Sequence, residues 1–129
     1  MGQYFFETAN LVSAFVPVDM QTGANNGDWI NMSGYNRCVA ILFKGAGTVG
    51  DNPVFTLKQA TDNAGTDAKA LNFTTAYTKI GTQTGISFFT KATQSSGNTY
   101  TPTSAASQAI IAVEIDWGDL DGTNGFNHI

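Results

Sequence analysis

Ala109-Ile110-Ile111-Ala112-Val113-Glu114-Ile115-Asp116-Trp117 is the clearest alternation of apolar and polar residues in the chain. Ala109, Ile111, Val113, Ile115 and Trp117 share one side of an extended chain, while Ala112, Glu114 and Asp116 share the other. Successive strand side chains point to opposite faces, so this alternation is the period of a half-buried β-strand. It places two acids toward solvent and makes Trp117 the end of an inward row.

On either side of this segment, short apolar runs recur between clusters of Gly, Asn, Asp, Thr and Ser. Arg37–Lys44 is apolar on both faces and reads as a central strand covered from both sides. Val54–Gln59 alternates, with Phe55 and Leu57 inward and Thr56 and Lys58 outward. Leu71–Phe73, Thr75–Ile80, Ile86–Thr93 and a short piece at Trp29–Met32 are further strands. Leu11–Val18 places Val12, Ala14, Val16 and Val18 on one face, and Pro17, which removes a ladder donor, makes it either an edge strand or one whose N–H side points outward there. Turn clusters such as Thr22–Asp28, Gly50–Pro53, Asp62–Gly65 and Asp121–Gly125 separate these runs. No 3.6-residue period is sustained, and the turns follow no fixed repeat. The expectation is all-β: a single domain over residues 1–129, a β-sandwich of jelly-roll or Greek-key type with about eight strands. Gln94–Gln108 is polar and small, and reads as a long loop, either a plain surface connection or one ordered by a partner.

A chain of 129 residues suits one core that needs neither disulfide nor metal. Hydrophobic residues make up 42% and charged residues 12%, which argues against charged disorder and against a solvent-exposed helical bundle. The net charge is −4, and the six basic residues (Arg37, Lys44, Lys58, Lys69, Lys79 and Lys91) are scattered singly. A phosphate-binding stripe needs them clustered, so no nucleic-acid partner is expected. No apolar run approaches the ~20 residues of a membrane span, so no membrane partner is expected either. The opening Met1-Gly2-Gln3-Tyr4 lacks the basic and apolar segments of a signal peptide, which leads to an expectation of synthesis in a cytoplasm.

The residues that carry chemistry are sparse, and the expectation is a protein that is not an enzyme, with no cofactor and no metal. Cys38 is the one cysteine and sits in an apolar run, where it reads as a small buried residue. Its neighbour Arg37 points to the opposite strand face and cannot activate a thiolate there. His128 is the one histidine; near the chain end it reads as poorly held for general-base work. Asp119–Gly125 faintly resembles a calcium loop but has no glutamate to close it, and turn capping is the plainer reading. Glu7 and Glu114 are the only glutamates, and nothing places two carboxylates across a cleft. Trp29, Trp117, Tyr35, Tyr77 and Tyr100 could serve a carbohydrate-binding sandwich as sugar platforms.

Tyr4-Phe5-Phe6 carries a different message. Three consecutive aromatics on an extended segment cannot all face one core, so at least one must meet another layer or another chain. Phe88-Phe89 raises the same question. Low charge with two-sided apolar strands suits a protein that buries surface against partners.

The stretches "GDWINMSGYNRCVAILFKGAGTVGDNPVFTLKQATDNAGTDAKALNF" and "FFTKATQSSGNTYTPTSAASQAIIAVEIDWGDLDGTNGF", with the opening "ETANLVSAFVPVDMQTGANNGDW", resemble small virion proteins from the head-gene clusters of tailed bacteriophages and prophages. The resemblance spans nearly the whole chain and carries no enzymatic motif. It implies a capsid cement or decoration protein: a small β-sandwich on the outer surface of the virion capsid, made in the host bacterial cytoplasm. The implied partners are the major capsid protein and further copies of the chain, as a homodimer or homotrimer. A head–tail connector or tail protein is the neighbouring alternative. The expected contact residues are Tyr4, Phe5 and Phe6 of a docking arm over residues 1–8, with Ser96, Asn98 and Tyr100 of the Gln94–Gln108 segment.

Overall fold

The computed structural model describes residues 2–129; Met1, the first residue of the expected arm, lies outside the described residues. Eight strands carry the fold. They are β1 (Arg37–Lys44), β2 (Phe55–Thr56), β3 (Lys58–Gln59), β4 (Lys69–Ala70), β5 (Phe73–Ile80), β6 (Thr90–Gly97), β7 (Thr99–Tyr100) and β8 (Ala109–Asp116). The four long strands form one antiparallel sheet in the order β1-β8-β5-β6. The short ones form two ribbons, β2-β7 and β3-β4. With β3 and β4 set aside, the pairs nest: β1 with β8, β2 with β7, β5 with β6. A chain that pairs first with last and works inward is one long hairpin wound over itself, which is the winding of a jelly roll. The fold is all-β, as the alternation of Ala109–Trp117 predicts.

The core lies between the sheet and the ribbons. Ala109, Ile111, Val113 and Ile115 of β8 are all buried, and Ala76 from β5 joins them. Leu57 and Leu71 cover this row from the ribbon side, with Phe55 and Tyr100 packed against it. Each fully buried aliphatic side chain contributes roughly 1.5–3 kcal/mol, so this row dominates stability. The Leu57 backbone closes the layer: its N–H donates to Asn98 O at 2.8 Å, and its carbonyl accepts from Asn98 Nδ2 at 3.0 Å.

Several expectations change. β1 is not central: it is an edge strand, and only its Cys38, Ala40 and Leu42 side faces the core. Trp117 does not finish the inward row. Asp119 Oδ2 accepts from Asp116 N–H at 2.8 Å and Trp117 N–H donates to Asn36 O at 2.8 Å, so the strand ends in a 3-10 turn and the indole is exposed. Leu11–Val18 forms no strand, because alternation specifies a face but supplies no ladder partner. Trp29–Met32 pairs only in part, through an isolated bridge from Asn31 to His128. Ile86–Thr93 is shifted: Gln83–Ile86 forms a one-turn helix after Gly81, and β6 begins at Thr90. At φ +62°, Gly81 adopts the left-handed conformation that this turn requires.

The Gln94–Gln108 segment is not one loop. Its first part is β6 and β7, and its remainder is held down by the protein itself. Lys44 Nζ donates to the carbonyls of Ser104 (2.8 Å), Ala105 (3.3 Å) and Ser107 (2.5 Å). Asn52 Oδ1 accepts from Ser104 N–H at 3.0 Å and Ala105 N–H at 3.1 Å. The C-terminal residues are equally fixed. Ile30 and Ile129 exchange both backbone bonds (2.8 and 3.1 Å), Ala60 N–H donates to His128 O at 2.9 Å, and the His128 side chain is buried.

Candidate interaction surface

The candidate surfaces lie in three separate places, and the contact residues expected from sequence occupy two of them. Tyr4 precedes a one-turn helix, α1 (Phe5–Thr8), and its N–H donates to Glu7 Oε2 at 2.9 Å. Tyr4, Phe5 and Phe6 are 80%, 63% and 73% exposed, and the two Phe rings meet edge to face at 5.1 Å. No residue of α1 is buried. The chain from residue 2 to residue 26 is exposed except at half-buried Ala9 and Ala14. It is fastened by Asp28 N–H to Ala14 O at 2.7 Å and by Gln21 Nε2 to Thr48 Oγ1 at 2.8 Å. This is an arm with its own apolar side chains outward, including Leu11, Val16 and Val18.

Ser96, Asn98 and Tyr100 are not assembled with the arm aromatics. Ser96 is exposed on β6 and edges a depression of about 360 Å³ shared with Thr74, Tyr77, Glu114 and Asp119. Asn98 is occupied in pinning Leu57, and Tyr100 packs against the core opposite Phe55. The two latter residues therefore serve the fold.

The third surface is the outer face of the main sheet. The register aligns Val39 with Glu114, Ile41 with Ala112 and Tyr77, and Phe43 with Ile110 and Lys79. Val39, Ile41 and Phe43 are 46%, 59% and 71% exposed, although the chain has a complete core on the other side of the same strands. At the adjoining end, the helix α2 (Gln83–Ile86) and the residues after it present Ile86, Phe88 and Phe89. Lys79 Nζ lies 5.0 Å from the Phe89 ring centroid. The sequence reading missed this face because it assigned both sides of Arg37–Lys44 to cover; the doubled apolar character was itself the signal.

Several other polar groups are engaged within the fold. The Asp121 carboxylate accepts from Lys69 and, at 2.9 Å to each oxygen, from Asn124 Nδ2. The Lys69 ammonium holds that carboxyl below its ordinary value. Hydrogen bonds from Thr66 do the same for Asp62. Arg37 pairs with Asp116 at 2.8 Å, which raises the guanidinium further. Burial pushes the Cys38 thiol up, away from thiolate chemistry. His128 Nδ1 lies 2.6 Å from Asn127 Oδ1. Among the described residues no group of three or more His, Cys, Asp or Glu side chains could hold a metal ion. The five aromatics considered as sugar platforms are dispersed: Tyr100 packs on the core, Tyr77 lies on the outer sheet face, and Trp29 lies against Gly65.

No protein-family model, curated protein or solved structure matches this chain.

Proposed function

We propose that this chain is a structural virion protein of a tailed bacteriophage, a capsid cement or decoration protein that binds the major capsid protein shell and stabilises the expanded head. The observation that supports a binding role is the exposed Tyr4-Phe5-Phe6 arm on a domain whose core is complete without it. Aromatic side chains bury large apolar area with few rotatable bonds, which makes them efficient anchors in a partner's pockets. The assignment of that partner as a capsid comes from the sequence resemblance. A clamp that binds only the expanded lattice stabilises that state by its binding free energy, and many copies multiply the effect. An acidic chain of net charge −4 suits the outer surface, away from packaged DNA. Catalysis has no part in this role.

The test is addition of purified protein to expanded capsids that lack it, followed by sedimentation and counting of copies. Saturable binding at hundreds of copies per particle, lost on removal of residues 2–8, is the expected result. A dozen copies or fewer would move the protein to the head–tail junction or tail. No co-sedimentation, with retention on soluble glycans instead, would replace the reading by a carbohydrate-binding module.

A further inference from the structure

We propose that this protein pairs with a second copy of itself through the outer face of its main sheet, about a two-fold axis near Ala112 and Tyr77. The pairing stands independently of what the arm binds.

Size is the first argument. Four strands spaced ~4.8 Å apart and eight residues long at ~3.3 Å each make a rectangle of ~19 by ~26 Å, or ~500 Å² in projection. Side-chain relief brings its accessible area toward the ~800 Å² per partner of a stable interface. Its β1–β8 half is apolar: Ile41, Phe43 and Ile110, with the small side chain of Ala112 between Ile41 and Tyr77. The small residue lets a second sheet approach, and the aliphatic and aromatic groups around it supply the buried area.

Charge is the second argument, and it selects the partner. Among the described residues the ion pairs are Arg37–Asp116 and Lys69–Asp121, so Glu114, Lys79 and Lys91 are left without one. Glu114 lies beside Val39 toward one end of the face; Lys79 lies beside Ile110 toward the other, and Lys91 lies beside Tyr77. Along the strands Glu114 and Lys79 stand four residues apart, ~14 Å. A two-fold axis lying in the interface and crossing the Ile41–Ala112–Tyr77 row between them exchanges the two ends. Glu114 of each copy then meets Lys79 of the other, so the contact forms twice. Ile41 and Phe43 of the two copies fall against one another. The strands cross at ~40°, close to the ~30° at which aligned sheets pack. A surface with an acid at one end, a base at the other and Ile41, Ala112 and Tyr77 between is complementary to itself, which is the requirement of an isologous dimer; Lys91, at the β6 edge of that row, comes near its own copy at the solvent rim.

Sedimentation equilibrium of the full chain across a concentration series tests this. The expected species is a dimer of twice the 13.7 kDa chain mass. Ile41→Asp raises the dimer Kd by at least ~100-fold, because it buries an unpaired charge where Ile41 and Phe43 of the two copies meet. Glu114→Lys also dissociates the dimer by setting two bases against each other, and adding Lys79→Glu restores it. The three side chains lie outside the core, so far-UV circular dichroism of each variant matches the parent. A wild-type chain that stays monomeric overturns the proposal. So does a dimer unmoved by Ile41→Asp, or one that the double charge exchange fails to restore. Loss of the dimer only on deleting residues 2–8 would assign self-association to the arm and overturn it as well. Capsid binding is read in a separate assay, so either proposal can fail alone.

Discussion

The two faces of one sheet differ in cover more than in composition. On the inner side, Leu42 aligns with Ile111 and Ala40 with Val113, and the ribbons close over them. On the outer side, Ile41 aligns with Ala112 and Phe43 with Ile110, one residue along the same strands, and among the described residues no segment closes over Ile41 or Phe43. Hydrophobicity therefore identifies side chains that gain by leaving water; whether they leave it within the chain is decided by which segments return over them. Here β2, β3, β4 and β7 return on one side only.

The largest test of this contrast is Ile111→Ala. Ile111 has no exposed surface, and its truncation leaves a cavity between sheet and ribbons. The expected loss is about 2–5 kcal/mol in chemical denaturation, with no change in denaturant slope. A smaller loss would mean that the ribbons pack loosely enough to collapse into the gap. Next is Lys44→Met, at the end of the inner row. The substitution keeps the apolar stem and removes the three donors that gather the carbonyls of Ser104, Ala105 and Ser107. It should cost about 1–2 kcal/mol and speed proteolysis in the 101–108 loop, since charge-assisted bonds to carbonyls are lost. Ile41→Asp, on the outer face, should change monomer stability by less than about 0.5 kcal/mol when measured at low concentration. The concentration matters, because self-association would add its own linkage term to the wild-type value.

The inner face was the legible part. Strict alternation in Ala109–Ile115 and in Val54–Gln59 translated into burial because a period of two admits only one inward set. The outer face was misread at Arg37–Lys44, where apolar residues on both sides permit either a central strand or an edge strand with an uncovered face. Nothing local distinguishes these; strand order does, and it depends on β8 pairing with β1 across 64 residues of intervening chain or more, from Lys44 to Ala109 outward. Leu11–Val18 failed for the complementary reason: a good strand pattern remains a coil without a ladder partner. His128 reads as poorly held from its place near the end of the sequence, whereas backbone bonds to Ala60 secure it. The aromatics at Tyr4–Phe6 were recognisable as a surplus, since three in a row exceed what one face can bury. Tyr100 was not, because its role is set by its cross-strand partner Phe55.

The smallest expected effect lies on the covering layer. Asp62 accepts from Thr66 Oγ1 at 2.7 Å, Thr66 N–H at 3.0 Å and Ala64 N–H at 2.9 Å, and so shapes the turn that carries Gly65. Gly65 has φ +79°, and a Cβ there would stand 2.3 Å from Trp29 Nε1, so this turn is closed against the indole. Asp121 is held by Lys69 and Asn124 between β4 and the C-terminal turn. Both carboxyls titrate below their ordinary value of 3.8 in the folded chain, Asp62 through Thr66 and Asp121 through Lys69. A depressed folded-state value means that the unfolded chain takes up the proton first. Their contribution is therefore complete above the ordinary value and is lost as the pH falls through the lower folded-state values. The melting temperature should stay level from neutral pH down to about 4, then fall, and Asp121→Asn should reduce the steepness of that fall. Both groups are partly exposed and screened, so the decline belongs below the other three effects in size. An early decline, beginning well above the carboxylate range, would show that a different group governs the acid limb and that the covering layer is not held by these two turns.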